Sequence, residues 1–141
     1  MKAILFDTSF WIALFNERDE NYELATIAYD DFESLTFAIP WPTMYEFINT
    51  RFAKNISKLN AFEDLLRQPK IELIEDSKYK KVALEFFFSD RNKIKLKLSL
   101  VDIVLRSIMD DKSIKVDYLA TFNKKDFLDV CLDRSIIIIP E

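Results

Sequence analysis

The sequence predicts an α/β fold, with a mostly parallel sheet, helices on both faces and right-handed crossovers. Three observations carry this reading. Short apolar runs recur along the chain, each the length of one buried strand. Segments with apolar residues at helical spacing separate them. No linker, internal repeat or low-complexity tract interrupts the alternation, so residues 1–141 are read as a single domain.

Lys2–Phe6 reads as the first strand and Ser9–Phe15 as a short helix, with a charged loop over Asn16–Asn21. Asn21 is placed to cap a helix reaching about Ser34, since Leu24, Ala25, Ile27, Ala28 and Phe32 keep helical spacing. Leu35–Ile39 is a strand stopped by Pro40 and Pro42, and a helix from Pro42 or Thr43 to about Lys54 follows. Ser57 is placed to cap a helix to about Arg67, which Pro69 breaks before the strand Ile71–Ile74. Asp76 or Ser77 caps a helix to about Ser89.

Residues 91–98 alternate basic and mostly apolar, which predicts a half-buried extended segment with a basic outer face. Ser99 opens a strongly apolar helix to about Asp111. Val116–Thr121 is a strand, Lys124–Leu132 a short helix and Ser135–Ile139 the last strand. The chain has no glycine, so Asn, Asp, Ser and Lys must make its turns.

Composition removes several chemistries. With no histidine there is no Ser-His-Asp or Cys-His catalysis and no imidazole-built zinc site. The single cysteine, Cys131, allows no intrachain disulfide and reads as a small buried hydrophobe. Without glycine there is no P-loop and no dinucleotide fingerprint. A net charge of −4 gives no bulk reason to expect a nucleic-acid binder, but a local basic patch is compatible with it. No run approaches the roughly 18 apolar residues of a membrane span, and the signal-peptide layout is missing, so a cytoplasmic protein is expected. Carboxylates around a hard metal ion are the chemistry that remains most accessible.

Three acids lie where α/β folds form their sites, at strand carboxyl ends or early in helices. Asp7 ends the first strand, and either it caps the next helix or it is a site carboxylate beside that helix's N-terminus. Glu46 is either a surface glutamate or a site acid; it shares a narrow polar strip with Asn49, Thr50 and Ala53 on an otherwise apolar helix, and the narrowness of the strip favours a lined groove over open solvent. Asp102 follows Ser99 at capping-box spacing within a core helix, so it is either a satisfied cap or a site residue. Arg106 and Asp110 continue its face one and two turns on, as solvated pairs. Carboxylates brought together raise one another's pKa, a cost that a divalent cation removes.

Four strings in order resemble the PIN-domain ribonucleases, of the VapC type found in bacterial and archaeal toxin–antitoxin pairs. They are Ile4–Ser9, Pro42–Asn49, Leu98–Ile103 and Leu119–Phe127, and the resemblance spans essentially the whole chain. It implies a three-layer α/β/α fold whose parallel five-stranded sheet runs in the order 3-2-1-4-5. It implies endonucleolytic cleavage of RNA dependent on Mg²⁺ or Mn²⁺. Carried over, Asp7, Glu46 and Asp102 bind metal, and Ser9 orients Asp7 or a water. A homodimer and a small antitoxin partner are also implied.

One position departs from the family. The fourth acid is usually found two residues after Thr121, where this chain has Asn123. Asn123 keeps an oxygen but brings no charge. Asp126 is a candidate stand-in, with the alternative that it is an N-terminal acid of the last helix; Asp117 reads as a strand-opening residue. The basic residues Arg91, Lys93, Lys95 and Lys97 are candidate RNA phosphate contacts, or else a solvated edge. Phe86, Phe87 and Phe88 cannot all face inward on one helix, so at least one should meet a partner or a neighbouring helix.

Two other functions compete. A PIN-like domain that binds RNA or protein with weak or no catalysis is motivated by Asn123. A receiver-type signalling domain also gathers acids around Mg²⁺, but it needs a phosphoacceptor Asp ending a central strand. The mid-chain strands here end Ile39-Pro40 and Ile74-Glu75.

Overall fold

The computed structural model describes residues 1–90 and 97–141 of the chain. Five strands form one parallel sheet: β1 (Ala3–Phe6), β2 (Thr36–Pro40), β3 (Ile71–Ile74), β4 (Tyr118–Ala120) and β5 (Ile137–Ile139). Their order is β3-β2-β1-β4-β5, as the resemblance implied. The helices are α1 (Thr8–Leu14), α2 (Tyr22–Tyr29), α3 (Trp41–Ile48), α4 (Ile56–Leu66), α5 (Lys80–Asp90), α6 (Leu100–Asp110) and α7 (Leu128–Arg134). None is long and apolar enough to cross a membrane among the described residues.

β1 is buried on both faces because it is central, and its side chains alternate between two cores. Ile4 and Phe6 join an aromatic cluster with Phe10, Trp11, Phe37 and Phe62. Leu5 joins an aliphatic one with Ile103, Ile108, Leu119 and Ile138. Cys131 is buried in the second cluster, and burial pushes its thiol up to about 11, so it behaves as the expected small hydrophobe.

Several boundaries differ from the sequence reading. The helix expected to reach Ser34 becomes α2 plus a 3-10 turn at Asp30–Phe32. The helix expected from Pro42 to Lys54 stops at Ile48. Thr50 is extended there, and its hydroxyl donates to the Phe47 carbonyl (2.6 Å), competing with the helix for that group. The 3-10 turn Arg51–Lys54 follows, with Phe52 stacked on Phe47 at 3.9 Å between ring centroids. Asn55, not Ser57, caps α4, its side chain accepting from the Lys58 N–H (3.1 Å). The last helix divides into a 3-10 turn at Lys124–Asp126 and α7. After α7, Ser135 takes the left-handed conformation at φ 55°, a position that commonly holds glycine. Asp117 accepts from the Ala3 N–H (2.8 Å), consistent with a strand-opening residue.

On α5, Phe87 packs against the aliphatic core while Phe86 and Phe88 are exposed. Within the basic stretch, Arg91, Lys93 and Lys95 lie outside the described residues; Lys97 is described and exposed.

Candidate active site

The two halves of the sheet leave β1 in opposite directions, so the topological switch lies between β1 and β4. Asp7 sits there, at the carboxyl end of β1, with its N–H donating to the Ala120 carbonyl at the end of β4 (3.0 Å). It is only 3% exposed.

A buried carboxylate must be hydrogen-bonded. The hydroxyls of Ser9 (2.7 Å) and Thr121 (2.9 Å) both donate to Asp7 Oδ2. They are tied into the backbone in turn: Ser9 Oγ accepts from the Phe122 N–H (3.0 Å) and Thr121 Oγ1 from the Asn123 N–H (2.9 Å). Asp7 begins α1 without making a side-chain cap bond, so the simple capping alternative does not account for it. Burial raises its pKa above the ordinary value; the bonds from Ser9 and Thr121 pull it back, and the charge of Asp102 pushes it up again.

Glu46 is carried to the same end by α3, which follows β2 directly. The start of α3 is anchored by Thr43, whose hydroxyl donates to the Phe6 carbonyl (3.1 Å). Thr8 Oγ1 donates to Glu46 Oε1. By surface area Glu46 lies on the open side of α3, yet burial is the first cause of its raised pKa. The bond from Thr8 identifies the carboxyl end as the enclosed part. Asp7 and Asp102 raise the pKa further. The narrow polar strip expected here is wider in the structure: Tyr45 is 62% exposed and Ile48 42%, so Glu46 borders an open surface rather than a lined groove.

Asp102 is the third residue of α6 and forms a full capping box. Ser99 Oγ accepts from the Asp102 N–H (3.1 Å), and Asp102 Oδ2 accepts from the Ser99 N–H (3.1 Å). Its charge is nevertheless felt by Asp7, Glu46 and Asp126. The two readings of this residue are therefore compatible: the box uses Oδ2 and orients the acid.

Asn123 is exposed, while Asp126 ends the 3-10 turn. Burial, then Asp102, raises the Asp126 pKa. Arg106 is paired, with a partner on another helix. It reaches from α6 to α7, forming a two-pronged ion pair with Asp129 (2.7 and 2.6 Å). Thr8 and Thr121 are site residues that the acid-centred reading did not weigh. Their only sequence signal is a hydroxyl immediately after a strand end or a strand-end acid.

The chemistry of this donor set suits a hard divalent cation, since every donor is oxygen and the charge of Asp102 raises the pKa of both Asp7 and Glu46. Among the described residues, no three acidic or cysteine side chains close on one point as a ready-made cage.

No family's sequence profile matches the chain, and no curated protein does. Among solved structures, the chain is similar to the crystal structure of Mycobacterium tuberculosis VapC20, a toxin that cleaves the sarcin–ricin loop. The TM-score is 0.69 at 18% identity, covering 89% of this chain and 94% of that one. The chain therefore has the fold of a VapC-type PIN domain.

Proposed function

We propose that this protein is a metal-dependent endoribonuclease, the toxin of a toxin–antitoxin pair. The observation that carries this is Asp7, a nearly buried acid at the switch point of the sheet, held by two hydroxyls, under the charge of Asp102 and itself raising the pKa of Glu46. A fold of this kind can maintain such a cluster at a cost in stability, and that cost is offset when a cation binds. The fold shared with a toxin that cleaves an RNA loop supports the same substrate class.

Asp7, Glu46 and Asp102 hold the Mg²⁺ or Mn²⁺ ion in this reading. When bound, the ion withdraws charge from the scissile phosphate and favours ionisation of the attacking water. Ser9 and Thr121 fix the Asp7 carboxylate in one orientation and help to keep it ionised. Thr8 does the same for Glu46. Lys97, with Arg91, Lys93 and Lys95, supplies cationic contacts to the RNA backbone. A homodimer, a small antitoxin and a cytoplasmic location complete the proposal.

A second reading, RNA or protein binding with weak catalysis, is favoured by the exposed Asn123 at the fourth corner. One experiment separates the two: incubation of a mixed RNA substrate with Mg²⁺, Mn²⁺ or EDTA, using wild type, Asp7→Asn and Asp102→Asn. Cleavage that needs the metal and is lost in both variants is the expected result. Metal-independent cleavage, or full activity in both variants, overturns the mechanism. RNA binding without cleavage under any condition selects the second reading.

A further inference from the structure

A cavity of about 460 Å³ opens between the end of α1, the end of α3 and the start of α4. It continues the seam on which Glu46 is held. Thr8 of α1 donates to Glu46 of α3, and Ile12, one turn beyond Thr8 on the same side of α1, lines the cavity. On α3, Phe47 follows Glu46 directly and lines it too, with Thr50 and Arg51 just past the helix end. Glu46 itself is not part of the lining. From Thr8 to Phe15 the helix rises only about 10 Å, so the cavity is within reach of an RNA strand whose scissile phosphate lies at the acids.

The charge of the cavity is opposite to that of the chain. The protein carries 24 acidic and 20 basic residues, yet the lining holds Arg18, Arg51 and Lys58 and no acid. Lys58 donates to Glu17 (2.8 Å), which ties the loop after α1 to α4 and occupies the carboxylate next to Arg18. Arg18 and Arg51 are exposed, and neither is in an ion pair among the described residues. Beneath them lies an aromatic floor. Phe47 and Phe52 stack at 3.9 Å between centroids, and the half-buried Phe15 packs against them at 5.6 and 5.5 Å. Asn16 and Asn55 use Oδ1 to accept main-chain N–H bonds from Arg18 and Lys58 (3.1 Å each), so their amide N–H groups remain as donors. Unpaired guanidinium groups, an aromatic surface and amide donors together match an unstacked nucleotide, which offers a phosphate, a ring face and polar base edges. An acidic peptide would satisfy the cations but would leave the position beside the acids unexplained.

The geometry points to this cavity as the subsite for a nucleotide flanking the cleaved bond of single-stranded RNA, with Arg18 and Arg51 on its phosphates and Phe15 against its base. The inference rests on the nuclease reading above and extends it to how the RNA is held.

The test is binding of fluorescein-labelled, mixed-sequence single-stranded RNA in EDTA, where no metal-dependent cleavage occurs. Arg18→Ala and Arg51→Ala should each weaken binding about 10-fold. Each should also reduce the slope of log affinity against log salt by about 0.7, the loss of one phosphate contact. Lys112→Ala, which removes a cation before β4 at the opposite end of the sheet, should change affinity by less than about 2-fold. With RNA carrying 4-thiouridine, photo-crosslinks should map to Phe15 or to residues 47–52, a readout independent of charge. With Mg²⁺ added, both arginine variants should raise KM about 10-fold and leave kcat within about 2-fold, since the contact is made equally before and during cleavage. Unchanged RNA affinity in both variants, or crosslinks confined to other surfaces, overturns the inference while metal-dependent cleavage by wild type leaves the nuclease reading standing. Variants that keep RNA binding but lose binding to polyglutamate assign the cavity to an acidic protein partner and overturn the inference too. Wild type that binds RNA through both arginines yet cleaves none with any metal keeps the RNA site and overturns the nuclease reading. Wild type that binds no RNA overturns both.

Discussion

Asp7 is held by side chains that arrive from other parts of the fold, whereas Asp102 is held by the first turn of its own helix. Thr121 reaches Asp7 across the β1–β4 pairing, and Ser9 from the start of α1. Ser99 and Asp102 satisfy each other within one capping box. The contrast separates two ways of placing an acid. A capping box favours folding and orients its carboxylate as a by-product. A buried strand-end acid works against folding, since desolvation outweighs its hydrogen bonds. An acid kept in a place that costs stability points to function more strongly than one that also caps a helix.

Asp7→Asn should break this contrast most sharply. Cleavage should fall by about 100-fold or more, because a metal-ligating charge is worth several kcal/mol. Metal-free stability should move the other way. With its folded pKa above the unfolded value, Asp7 makes the native state bind the extra proton, so stability declines as pH rises from the unfolded pKa through the folded one. Above that window wild type carries the full penalty and the asparagine variant carries none. Thermal melting at neutral pH in EDTA should show the variant melting higher; equal or lower melting would remove the argument that Asp7 is strained by burial.

At Asp102 the two consequences should run together or separate according to the substitution. Asp102→Ala loses both the box and the charge, lowering stability by about 1 kcal/mol and abolishing cleavage. Ser99→Ala loses the cap alone. Its stability should fall by about 1 kcal/mol, with cleavage retained to within about 10-fold. Denaturant melts beside cleavage rates test this, and a Ser99→Ala protein as inactive as Asp102→Ala would mean that the box is itself part of the mechanism.

The smallest effect is expected at Thr121→Val. It removes one hydroxyl bond that lowers the Asp7 pKa, so that pKa should rise further. The acid limb of the pH–rate profile should move to higher pH, with a loss of about 10-fold below it and little change above. A uniform loss at every pH would assign Thr121 to the loop's shape instead.

The sequence by itself determined the alternation of strands and helices, the placing of Asp7, Glu46 and Asp102 near the ends of strands or starts of helices, and the capping box. These are local properties: side-chain period, a strand stopped by an acid or a proline, and a three-residue spacing. Two of the differences in element boundaries had local causes too, but ones that composition alone does not rank: Thr50 competing for a helical carbonyl and Asn55 outranking Ser57 as a cap. Tertiary structure decided what touches the acids. Thr121 meets Asp7, Thr8 meets Glu46 and Arg106 meets Asp129 only after the crossovers bring distant segments to one end of the sheet. A hydroxyl or guanidinium reads the same in sequence whether it faces water or a carboxylate, because its partner is chosen by packing and not by its neighbours along the chain.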